Sequence, residues 1–190
     1  TWVRVGTLAR APLIGGAPRE IIENVQWADW GPDGSMLAVV RDVDGRNRLE
    51  YPPGKVLYQT GGWIGHPRVS PTGDRIAFID HPIHGDDGGQ VSVVDMNGNK
   101  KDLSPAHFTA QGLAWSADGS EIWYTASASG TDRWLHAVND KGQRRVVTRI
   151  PGTLMLLDVW RDGRVLLTRS SWRREMIGIV DGARTQTDLS

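Results

Sequence analysis

One turn is written four times in this chain, and no other feature restricts its fold as strongly. The four copies are Trp30-Gly-Pro-Asp-Gly34, Val69-Ser-Pro-Thr-Gly73, Trp115-Ser-Ala-Asp-Gly119 and Val159-Trp-Arg-Asp-Gly163. Their final glycines are spaced by 39, 46 and 44 residues. Each turn follows a short apolar segment and precedes a β-rich one, at 36–40, 76–79, 122–125 and 165–168. Units of about 40–45 residues with four strands each are the sequence mark of a β-propeller.

The turn chemistry is mechanical. Proline presets its φ, aspartate accepts hydrogen bonds from nearby backbone, and glycine takes positive φ. Further reversals at Pro52-Pro-Gly54, Asn97-Gly98, Asp140-Lys-Gly142 and Asp181-Gly182 divide the chain into four-stranded units. The predicted blades span 25–60, 61–104, 105–148 and 149–190, and residues 1–24 read as the outer half of another. No segment holds a helical period. The expected fold is therefore all-β, a propeller of four four-stranded blades plus a half blade.

A propeller closes by pairing its first and last blades, because an open end leaves unpaired strand edges. Four and a half blades lead to the expectation that the chain is part of a larger propeller or self-associates through its open edges. Leu13, Ile21 and Ile22 at one end, and Leu166, Ile177 and Ile179 at the other, are the apolar residues expected there.

Composition narrows the function. Lys plus Arg equals Asp plus Glu at 22 each, and that balance argues against nucleic acid as a partner. No apolar run reaches the roughly 18 residues that suggest a membrane-spanning helix. The absence of cysteine excludes disulfides and thiolate metal sites. Nine tryptophans are many for this length, and packing between blades is their ordinary use.

The pattern Val69-Ser-Pro-Thr-Gly73, Val93-Val-Asp-Met-Asn-Gly98, Leu103-Ser104, with Leu113-Ala-Trp-Ser-Ala-Asp-Gly119, resembles the TolB-like, or PD40, propeller repeats. Residues 8–20 and 80–89 further resemble the propeller region attached to bacterial, eukaryote-like serine/threonine kinases. That resemblance implies a sensor or docking part of a signalling protein, and it favours an extracytoplasmic or periplasmic location. The first and fourth turns depart from the family pattern, with Gly31 in place of serine and Trp160-Arg161 in place of Ser-Pro. The likeness specifies architecture more than role.

Loops between second and third strands, and between blades, emerge on one face of a propeller. The candidate ligand-binding residues there are Trp63, His66, His81, His84, Asp86, Asp87, Trp172 and Arg173, a mixture of aromatic, charged and imidazole groups suited to docking a protein or peptide. No nucleophile elbow, phosphate loop or His-Glu-x-x-His motif occurs, so no catalytic residue and no cofactor are assigned. The expected role is a non-catalytic interaction or sensor module. The alternatives are a metal-assisted enzyme built on His81, His84 and Asp86, and a gene fragment without independent activity. Asp42-Val-Asp-Gly45 superficially suggests a calcium loop, but Arg46 and Arg48 place cations where ligands are needed, and a plain turn is expected.

Overall fold

A computed structural model describes residues 5–171, and the backbone of Ile177–Gly178 and Thr187–Asp188. All its regular structure is β. The first sheet contains β1 (Gly6–Arg10), β2 (Arg19–Trp30), β3 (Leu37–Val43), β4 (Arg46–Glu50) and β5 (Val56–Thr60), ordered as they occur in sequence. The second contains β6 (Trp63–Val69), β7 (Arg75–His81), β8 (Gln90–Asp95) and β9 (Lys100–Asp102). The third contains β10 (Thr109–Trp115), β11 (Glu121–Ser127), β12 (Trp134–Asn139) and β13 (Arg144–Thr148). Two antiparallel pairs follow, β14 (Thr153–Val159) with β15 (Val165–Ser170), and β16 (Ile177–Gly178) with β17 (Thr187–Asp188).

The four written turns have one geometry. Gly34, Gly73, Gly119 and Gly163 each donate their N–H to the carbonyl three residues back, all at 2.9 Å. In the first, third and fourth, the aspartate carboxylate accepts the N–H two residues on, from Ser35, Ser120 and Arg164. In the second turn Thr72 stands in that place, and Asp74 bonds the Ser70 and Thr72 hydroxyls instead. In the third turn, hydrogen bonds from the Ser116 hydroxyl and from the Ser120 N–H and hydroxyl hold the Asp118 carboxyl down at about 2. Asp44 and Gly45 both have positive φ, 53° and 70°, which makes the β3–β4 connection a tight two-residue hairpin and not a calcium loop.

Strand alternation explains the packing. Along β7, Ile76 and Phe78 enter the cluster shared with Ala38, Val40 and Leu49, whereas Ala77 and Ile79 face Leu113, Ile122 and Tyr124 of the next sheet. A sheet covered on both faces needs apolar residues at consecutive positions, which is why 76–79 reads as an unbroken apolar run. The first strands of successive blades, β2, β6, β10 and β14, lie beside one another in turn, as propeller blades do around an axis. Each carries a bulge, at Val25/Trp27, Gly65/Arg68, Gln111/Leu113 and Leu156/Asp158. A bulge adds twist and re-aims the residues beside it.

The expected half blade is joined directly to the first full one. β2 runs unbroken from its pairing with β1 into its pairing with β3, through Asn24 at a positive φ of 59°. Leu13 and Ile21 are exposed and Ile22 is half-buried at this end. Leu166 is exposed at the other, where Ile179 and the Ile177 side chain lie outside the described residues.

Candidate functional site

A cavity with a volume near 1320 Å³ opens between the second, third and fourth blades. Its walls are the β7–β8 loop, the connection into β10, the β11–β12 loop and the entry to β14. The chemistry is carried by Asp86, Asp87, His107, Phe108, Asp132 and Arg133.

The β7–β8 loop is held from beneath. His81 stacks on Trp63 with centroids 3.6 Å apart and planes 1° from parallel. Because a carbonyl can only accept, His81 Nδ1 donates to Gly88 O at 3.0 Å, while Trp63 Nε1 donates to Asp86 O at 2.8 Å. Burial drives the His81 pKa down to about 3, so the ring is neutral. From the side, Gly89 and His107 exchange both backbone hydrogen bonds, and Ala110 N–H donates to Asp87 O.

A buried chain fixes the Asp87 carboxylate. His66 Nε2 donates to Gln111 Oε1 at 3.0 Å, and Gln111 Nε2 donates to Asp87 Oδ1 at 3.0 Å. The His66 ring lies against Trp27, 4.4 Å between centroids. Its φ of 51° is a left-handed conformation at the β6 bulge, and burial lowers its pKa to about 4.

On the groove floor Arg133 is already committed: Nε donates to Leu154 O at 3.0 Å and a terminal nitrogen to Thr109 Oγ1 at 3.1 Å. Three carboxylates therefore face one engaged guanidinium. Phe108 has its backbone pinned to Ser127 O, yet its side chain is 63% exposed.

Trp63, His66 and His81, expected on the docking surface, lie beneath it, at 1%, 5% and 0% exposure. The physical reason is that the β6 bulge and the strand ends turn these rings inward, where they support the loop that carries Asp86 and Asp87. Asp86 is exposed and Asp87 half-buried, and both line the groove; His84 is exposed in the same loop without lining it. Trp172 and Arg173 lie outside the described residues. The metal arrangement of His81, His84 and Asp86 is corrected: His81 is sealed under Trp63, and no group of three or more potential ligands among the described residues is placed to hold an ion. Sequence reasoning missed Phe108, Gln111, Asp132 and Arg133. Phe108 carried a signal, a large aromatic side chain in a connection otherwise short of strand pattern.

A second cavity of about 350 Å³ sits where the first strands of all four blades converge, beside the written turns. Asp29, Arg68, Ala114 and Asp158 occupy equivalent repeat positions in its wall. Arg68 spans it, donating to Pro67 O and Leu157 O at 3.2 and 3.0 Å.

Among solved structures the chain is similar to TolB from Acinetobacter baumannii, at 16% identity and a TM-score of 0.70, over 96% of this chain and 45% of that one. It is similar to the putative TolB from Agrobacterium tumefaciens, at 16% identity and 0.68, over 97% and 74%. An oligogalacturonate lyase in complex with manganese matches at 19% identity and 0.59, over 83% and 51%. No protein-family model and no curated protein matches the chain. The chain spans less than half the length of the Acinetobacter protein. Its fold is that of a TolB-like propeller.

Proposed function

We propose that this chain is a non-catalytic interaction module that docks an extended polypeptide segment in the groove between its second, third and fourth blades. The observation that carries this reading is Phe108, an aromatic side chain held in solvent by a pinned backbone inside a wide groove that also carries three carboxylates. Exposed aromatic residues with a polar surround are the usual anchors of polypeptide docking. His66 and His81 are buried and neutral, each with a ring nitrogen in a structural hydrogen bond, which supports a structural role for both over acid–base catalysis. The lyase relative does not lend its substrate either. A polyuronide is an anion, and it would meet Asp86, Asp87 and Asp132. The likeness of residues 8–20 and 80–89 to kinase-attached propellers supports a sensing role within a signalling protein, with 1–190 as one propeller domain or a portion of one.

Panning a random peptide library on the folded chain tests the reading. Enriched peptides should lose binding to Phe108→Ser. No enrichment, or binding indifferent to Phe108→Ser and Asp132→Lys, would overturn it.

A further inference from the structure

The turn between β1 and β2 projects Leu13 and Ile14 wholly into solvent, at 106% and 100% exposure. The turn is closed by a hydrogen bond from Gly15 N–H to Pro12 O at 3.1 Å. Exposed Arg10 and Arg19 stand at its base with exposed Glu20 beside them, which leaves the base with a net positive charge. Among the described residues, this projecting pair of branched aliphatic side chains between two cations has no partner to cover it within its own copy.

We propose that this tip docks in the groove of a second copy of the chain, Leu13 and Ile14 against Phe108 and the two arginines toward Asp86, Asp87 and Asp132. The inference rests on the groove being a polypeptide-docking surface, and it names the partner. Both halves of the match are on the molecule: an apolar point with a cationic base, and a groove with an exposed aromatic and surplus negative charge. Arg133 offsets one of the three carboxylates, its charge interacting with Asp87, and the groove keeps a surplus of negative charge from Asp86 and Asp132. Both features are exposed in one copy, so the pairing joins different copies. The two patches are unlike each other, so each contact is heterologous, and the rotation between copies decides whether the assembly closes or extends.

The test uses the full chain and, as probe, a cyclised synthetic peptide spanning residues 8–21. The peptide should bind, more weakly as salt is raised. Phe108→Ser and Asp132→Lys should each weaken it about tenfold. A peptide carrying Arg10→Glu and Arg19→Glu should prefer Asp132→Lys protein to the parent. In sedimentation, the average mass of the chain should rise above that of the monomer with concentration, and Leu13→Asp should hold it at the monomer. Because Leu13 and Phe108 are exposed, unchanged melting temperatures confirm that these variants are folded. A peptide that does not bind, binding indifferent to both groove variants, or assembly that survives Leu13→Asp overturns the proposal. If the peptide fails while library peptides still need Phe108, self-pairing falls and the docking reading stands; if both fail, both fall.

Discussion

The ring of Trp63 lies flat on that of His81, 3.6 Å between centroids, and from this stack the indole N–H reaches Asp86 O while the imidazole N–H reaches Gly88 O. Two first-layer side chains thus set the height of the loop that forms one groove wall. Trp63→Ala removes a fully buried aromatic residue together with the loop's hydrogen bond. It should cost about 3–5 kcal/mol, measured by urea unfolding. The exposed His81 should then titrate closer to its ordinary 6.5 than to about 3, visible by NMR. An unshifted His81 titration would show that burial by Trp63 is not what holds the ring neutral.

Acid should destabilise the chain in a window set by histidines before its carboxylates matter. His66, His81 and His107 are pushed by burial to about 4, 3 and 4, and His136 is lowered as well. Unfolded, each takes a proton near 6.5, so below that value the unfolded state binds more protons and stability falls with pH. The loss should continue down to the folded values and then level for these groups. The lowered carboxylates, such as Asp118 at about 2, lose their contribution only at more acid pH. Denaturant midpoints measured from pH 6.5 toward pH 4 should decline steadily, and a flat profile there would refute the assignment.

Gly112 and Gly34 share positive φ, 79° and 69°, but differ in what surrounds them. A Cβ at Gly112 would strike the Leu156 carbonyl oxygen and come within 2.6 Å of Leu156 N, whereas at Gly34 it would meet nothing within 4 Å. Gly34→Ala should cost about 1–2 kcal/mol from the backbone alone. Gly112→Ala adds a clash with the backbone of β14 and should cost about 3 kcal/mol or more. Equal losses in thermal unfolding would mean that the third and fourth blades are not in close contact.

How far the sequence discloses the molecule depends on whether the cause is local. The written turns were legible because Pro32-Asp33-Gly34 and its copies carry their own hydrogen bonds and backbone preferences. The join at Asn24 was not, because a continuous β2 depends on pairing with β1 and β3 at once. The loop 82–89 was legible as a place of interest, but the inward turn of His66 and His81 follows from a bulge and a stack that polarity alone does not predict. Phe108 and Arg133 belong to different connections and meet only through packing of blades, so their shared groove has no local signature.

Asp29 provides the last prediction. It precedes the first written turn as Arg68, Ala114 and Asp158 precede the others, and its carboxylate accepts Val69 N–H at 2.8 Å, tying the first blade to the second. Burial raises its pKa, against the pull of that hydrogen bond and of Arg68. A carboxyl raised in the folded state favours folding while protonated, and that benefit is lost as pH climbs through 3.8 to the folded value. Asparagine keeps an acceptor for Val69 N–H and removes the desolvated charge. Asp29→Asn should therefore match or slightly exceed the parent at neutral pH and lose that advantage in acid. Asp29→Ala instead orphans the Val69 N–H, which lies in a buried residue, and should cost about 1–3 kcal/mol at every pH. Urea midpoints of the three proteins at neutral and acid pH separate these effects. If Asn and Ala lose stability equally at neutral pH, the charge of Asp29, through Arg68, is what binds the blades, and the hydrogen bond to Val69 is secondary.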